Sequence, residues 1–325
     1  MEYNVLDFGA KGDGKTLDTV AFRKAITACS ATGGKVLVTQ GCYLLESIEI
    51  KSNVELYLEE GAKLLYYFKK SSEEENSLVK TPTFDACDYD GKPKNYFIYA
   101  YQSKNISITG KGIIDGNEEV FYGTVTKWHI DGYFYPRVPM IYFEDCRNVK
   151  IEDITLTRSA FWTTHLVGCQ DVVIDSITIF NNLRLANCDG IDPDHCKNVV
   201  IRNCNISCAD DCIVFKNTAQ GKKYGDLKNI IVENCTLIST SAAIKFGTES
   251  VSDMHDIKIS NCIIKNSNRG ICLQLRDEGS IYKVSFENIK IDTRRFSPIY
   301  WWGKAEPVIV TAVKRTSTAK LGKIY

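Results

Sequence analysis

Six short segments of one design begin at Asn148, Asp171, Asn198, Asn229, Asp256 and Lys283, at intervals of 23, 27, 31, 27 and 27 residues. Weaker copies open at Asn53 and Asn105. Each unit carries β-branched residues at alternate positions, as at Val199, Ile201 and again Ile206, followed by a polar turn and a second short run. Alternation over so few residues marks strands, and an interval of roughly 22 to 30 residues is too short for a strand–helix–strand crossover in every repeat. The economical solution is an all-β fold, a right-handed parallel β-helix in which each coil stacks on the last and buries a continuous core. A chain of 325 residues, long enough for two compact domains, is therefore expected to form a single solenoid over 1–325.

Two positions of the repeat sharpen this. Asn203, Asn234, Asn261 and Asn288 coincide, which predicts a ladder of side-chain amides bonding coil to coil at a turn. The next position holds Cys204, Cys235 and Cys262, with Ile177 and Ile289 in the outer copies. Cysteine that interchanges with isoleucine behaves as a small buried hydrophobe. That accounts for much of an odd total of 13 cysteines, which cannot pair completely and contains no Cys-x-x-Cys spacing for structural zinc.

The first 35 residues read as a cap. Asp7–Gly14 is turn-rich, and Asp18 is placed to N-cap a helix from Thr19 to Ala31, with Val20, Ala25, Ile26 and Cys29 on its apolar side. Such a helix would cover the open end of the first coil. Lys69 to Lys94, with Pro82 and Pro93, reads as an excursion from the coil path. Gly123 to Pro139 is an aromatic-rich insertion containing Trp128, His129, Tyr133, Phe134 and Tyr135. Leu321–Tyr325 resembles the opening of a further coil, so either Val308–Thr318 folds back as a cap or C-terminal coils are missing.

Charge and hydropathy narrow the partners. With 40 Lys+Arg against 40 Asp+Glu there is no cationic excess for a broad hold on nucleic acid or an anionic membrane. No apolar run spans a bilayer and no secretory signal opens the chain. Together with many unpaired thiols this favours a cytoplasmic monomer, a secreted mature form being the alternative.

The strongest chemical pattern is Asn187-Cys188-Asp189-Gly190-Ile191-Asp192-Pro193-Asp194, followed by Asp210-Asp211-Cys212. Asp189 and Asp210 are 21 residues apart, close to one coil, so they are expected to stack on one face about 5 Å apart along the axis. At a bend, adjacent Asp210 and Asp211 can both reach one groove. Stacked carboxylates repel, which raises at least one pKa and sets an acid beside bases, as glycoside hydrolysis requires. On spacing alone the same aspartates also fit turn formation or a calcium site.

At these residues the chain resembles glycoside hydrolase family 28, the polygalacturonase-like enzymes of pectin breakdown, over nearly its whole length. Asp7 through Gly34 is similar to the family's N-terminal cap, and Arg137 to His165 to the stretch before the active-site coils. Asn187-Cys188-Asp189 stands where the family has Asn-Thr-Asp, and Asp210-Asp211-Cys212 matches its Asp-Asp-Cys element. The resemblance implies an inverting hydrolase acting on a pectic poly- or oligosaccharide without metal or organic cofactor. Asp210 would be the general acid, and Asp189 and Asp211 would hold and deprotonate the attacking water. Inversion sets acid and base about 6.5 to 9.5 Å apart.

Two family elements are altered. Gly-His-Gly falls near Ser239–Ala243, where there is no histidine, and Arg-Ile-Lys falls near Cys272-Leu273-Gln274, which lacks both cations. Lys245, Arg269 and Arg276 lie where they could restore positive charge beside Gln274, and Asn187 joins them as a substrate contact. The expected substrate is accordingly a pectic chain other than plain polygalacturonate. His165, 24 residues before Asp189, is assigned to the groove or to a buried hydrogen bond, and His195 to a turn. Trp128, Trp301 and Trp302 are candidates for sugar stacking or for packing. Two other functions stay open, a uronate-directed lyase or epimerase and a carbohydrate-binding β-helix without catalysis.

Overall fold

The computed structural model describes residues 1–68, 95–131 and 137–325. The expected excursion with Pro82 and Pro93, and Tyr133, Phe134 and Tyr135 of the insertion, lie outside the described residues. The described strands form three parallel sheets of ten, ten and nine strands, each in chain order. The chain therefore visits the sheets in turn. Lys197–Arg202 lies in the first sheet, Asn205–Cys208 in the second and Ile213–Asn217 in the third. Leu227–Glu233 then stacks on the first of these, with Ile230 against Val199 and Val232 against Ile201. This is a right-handed parallel β-helix.

The alternating residues point inward. Val199, Ile201, Ile206, Ile230 and Val232 are buried in one continuous core. Cys204, Cys235 and Cys262 are buried there beside Ile177, so these thiols pack as hydrophobes. Buried thiols of that kind say nothing of a reducing compartment, which removes one support for a cytoplasmic setting. The asparagine ladder forms as two pairs: Asn234 Nδ2 donates to Asn203 Oδ1 at 3.4 Å and Asn288 Nδ2 to Asn261 Oδ1 at 2.8 Å. All four residues hold a left-handed φ between 51° and 57°, which asparagine tolerates better than most side chains. The residues that open the repeats make a second ladder, through Asn53, Asn105 and Asn148 and again through Asp171, Asn198 and Asn229.

The cap helix runs Thr19–Thr32 and packs against the first strands of the first and third sheets. Its buried stripe is Ala21, Phe22, Ala25, Ile26 and Cys29, whereas Val20, expected on that stripe, is 62% exposed. At 100° per residue Val20 falls opposite Phe22, Ala25, Ile26 and Cys29. Asp18 stands at the helix N-terminus but its carboxylate turns back to accept the N–H groups of Lys11 and Gly12. At the other end, Glu306–Ala312 does not fold back as a cap. It pairs in parallel with Arg269–Leu275, and Ile324 bridges to Ile281 of the first sheet. Among the described residues no helix is long and apolar enough to cross a membrane.

Candidate active site

The third sheet brings the aspartates together. Ile191 pairs with Ile213, Gly190 N–H donates to Asp211 O at 2.9 Å, and the loops before these two strands therefore stack one coil apart. Glycine is needed there, since a Cβ on Gly190 would lie 2.4 Å from the Cys212 carbonyl oxygen. Asp210 has φ +83°, which breaks the strand alternation and lets Asp210 and Asp211 face one side. One oxygen each of Asp189, Asp210 and Asp211 lies within 4.8 Å of the others. These carboxylates line a groove of about 740 Å³ with Phe161, Trp162 and Lys216.

Each carboxyl has a different environment. Asp210 Oδ2 accepts the Asn187 N–H at 3.1 Å; burial, then the Asp211 charge, push its pKa up to about 6 against the pull of Lys245. Asp211 is ion-paired with Lys245 at 2.8 Å and accepts the Ala242 N–H at 3.1 Å. Burial first, then the charges of Asp192 and Asp210, hold Asp189 well above the usual carboxylate range. Asp192, wholly buried behind it, is raised by burial as well. Lys216 answers them: its ammonium lies 3.8 Å from Asp189, 3.6 Å from Asp192 and 3.7 Å from Glu249, and 4.3 Å over the Trp162 ring. Burial opposes its charge, but the surrounding carboxylates outweigh that and raise its pKa. The same holds for Lys245, raised by Asp211 and Asp210. The three aspartates could share a cation, yet calcium takes about six to eight oxygens, and here an ammonium already stands 2.8 Å from Asp211.

Asn187, Lys245, Arg269, Gln274 and Arg276 all line the same groove. Arg269 is ion-paired with Glu306 at 3.4 Å and donates to the Trp302 carbonyl, and Trp302, 62% exposed, is part of the groove wall. His165 does not line it. The coil here is 27 residues, pairing Thr164 with Ile191 and His165 with Asp192, so the 24-residue separation from Asp189 misses the register. His165 is buried, bonds Asp194 Oδ2 at 3.2 Å and packs edge-on against Trp162. The residue one coil before Asp189 is Trp162, and the 27-residue interval would have found it. Lys216 was missed because a lone lysine in a strand reads as solvent-facing. Its alternation with buried Ile213 and Phe215 was the available signal. His195 occupies a turn at φ +54°, with its ring bonded to the Gly225 and Thr218 carbonyls. Trp301 donates to the Trp128 carbonyl at 3.1 Å and serves packing. Cys188 is buried and donates to Ser159 O, and burial raises its pKa, so its thiol is no nucleophile.

A parallel β-helix with a carboxylate cluster on one sheet face defines the class of scaffold. Glycosyl hydrolases family 28 matches residues 65–321, and the chain belongs to that family. A probable polygalacturonase of Vitis vinifera is 30% identical over 279 residues, covering 82% of this chain and 56% of that protein. The chain thus spans little more than half the length of that curated relative. Two solved structures share the fold. An exopolygalacturonase from Thermotoga maritima has a TM-score of 0.74 at 24% identity over 89% of this chain and 76% of its own. The family 28 exopolygalacturonase of Yersinia enterocolitica has a TM-score of 0.77 at 22% identity over 100% and 64%.

Proposed function

We propose that the protein hydrolyses glycosidic bonds of pectic poly- or oligosaccharides. The observation that carries this is the convergence of three buried aspartates within 4.8 Å on the groove wall, one of them raised to about 6. Asp210 is protonated below that value and donates its proton to the leaving oxygen. Asp211, paired with Lys245, takes the proton of the attacking water, and Asp189 holds that water.

Charge in the groove supports an acidic sugar. Lys216, Lys245 and Arg269 each face a carboxylate of the protein, whereas Arg276 makes no ion pair among the described residues. Arg276 is then the cation open to a uronate, beside Gln274. This composition differs from the family pattern and favours a pectic chain other than plain polygalacturonate.

The test is incubation with a panel of pectic oligosaccharides, with products identified by mass and the first-formed anomer by proton NMR. Hydrolysis with inverted configuration is expected. An unsaturated product absorbing in the ultraviolet would mean a lyase, and binding without turnover a carbohydrate-binding module; either overturns the proposal.

A further inference from the structure

Arg137 is a guanidinium with only 3% exposure, and it sits against the loop that carries the site rather than in the groove itself. Its Nη1 donates to the Ala186 carbonyl at 2.6 Å and to the Ala160 carbonyl at 3.1 Å, and its Nη2 to Asn187 Oδ1 at 2.8 Å. The guanidinium carbon lies 4.9 Å from the centre of the Phe161 ring, itself a groove-lining residue. One side chain thus ties together the backbones of two successive coils and two of the groove-lining residues they carry, Phe161 and Asn187.

The position of the clamp gives it consequence. Asn187 has φ +62°, a left-handed conformation that its surroundings must hold, and its backbone N–H is the donor to Asp210 Oδ2. A free loop would place that N–H loosely, and a carboxyl that must meet a glycosidic oxygen loses rate steeply with small displacements. We propose that Arg137 is a positioning residue: by clamping Ala186 and Asn187 it aims the Asn187 N–H at Asp210 and fixes that carboxyl for proton delivery. The inference rests on the hydrolase reading above.

The charged groups around Asp210 set the sign of its signature. Asp211 and Asp189 face it from its own bend and from the stacked coil, and Lys245 and Lys216 from the third sheet. The Asn187 N–H stabilises the ionised form, so loosening it raises the pKa of Asp210 and moves the alkaline limb of the rate profile to higher pH.

The experiment compares the full chain with Arg137→Met, Arg137→Lys and Asn187→Ala, each checked for folding by circular dichroism, in kcat and KM across pH on the oligosaccharide that the wild type cleaves. Arg137→Met is expected to lose roughly 10- to 100-fold in kcat with KM within about twofold, and to shift the alkaline limb upward. Lysine, which keeps one donor to a carbonyl, should recover part of both. Asn187→Ala cuts the link without emptying the buried site and should shift the limb in the same direction even if Arg137→Met does not fold. Folded variants with unchanged kcat and an unmoved limb, differing only in Tm, would make Arg137 a structural clamp and overturn the inference. A wild type without hydrolytic activity instead removes the reading beneath it.

Discussion

Asp210 is 5% exposed and its pKa of about 6 lies above the roughly 3.9 of an unfolded aspartate. Between those values the folded protein keeps a proton that the unfolded chain has lost. The contribution to stability is therefore fully present below about pH 4 and is lost as pH rises through about 6. Asp210→Asn should abolish turnover, a loss of at least 10²- to 10⁴-fold on the scale of general acids, and should raise Tm at pH 7 but scarcely at pH 4. Equal Tm gains at both pH values would refute the assignment. Lys216 has the opposite balance, being buried with Asp189, Asp192 and Glu249 about it. Removing one partner of a buried ion cluster costs about 3–5 kcal/mol. Lys216→Met should show that loss in urea unfolding at pH 7 and much less of it near pH 4, where the carboxyls accept protons. A loss independent of pH would mean that packing over Trp162, not charge, is what Lys216 supplies.

The strands are bound to one another by rows of like residues, and the rows are where sequence spacing translates into structure. Asn234 is the test case, with its left-handed φ of +57° and its amide bonded to Asn203. Asn234→Gly keeps the backbone and loses only the bond, while Asn234→Val adds the left-handed penalty of about 1–2 kcal/mol. Urea midpoints should fall in the order asparagine, glycine, valine; equal values for glycine and valine would show that the turn relaxes. Such rows explain what was legible. The Asn203 and Cys204 positions recur because each coil meets the next in register, so the β-helix, the ladder and the buried thiols could all be read from intervals. The cation and aromatic side of the groove could not be read so directly. Lys216 and Trp162 belong to no repeated motif, and the loop length that aligns Trp162 with Asp189 varies from coil to coil. Of the two places open to His165, groove or buried hydrogen bond, the second forms for that reason: a difference of three residues in the coil length moves a side chain from the groove wall to the layer behind it.

Across the whole molecule, stability is expected to be graded rather than uniform, since in a solenoid each coil is held mainly by its two neighbours. Coils in the middle have neighbours on both sides, and the inward residues of one such coil, Val199, Ile201 and Ile206, are fully buried. The first coil is covered by the cap helix through Phe22, Ala25, Ile26 and Cys29. In the last described coil, Val308 and Val310 are each 56% exposed, and Val284, Phe286 and Ile291 are only partly buried. Local opening draws on regions with few buried apolar contacts. Amide hydrogen exchange should therefore be fastest in Ile281–Glu287, Lys290–Thr293 and Glu306–Ala312, and slowest in Gln170–Asp175, Lys197–Arg202 and Leu227–Glu233. Phe22→Ala, a loss of about 3–5 kcal/mol for a buried aromatic, should speed exchange in Gly34–Val38 and Val54–Leu58 while leaving the aspartate coils protected. The groove lies between the two ends, so fraying from the C-terminal side reaches Arg269 and Gln274 before it reaches Asp210, while fraying from the capped end reaches Asp189 first. Uniform exchange along the chain, or a Phe22→Ala variant that opens every coil together, would show that the solenoid unfolds as one cooperative unit.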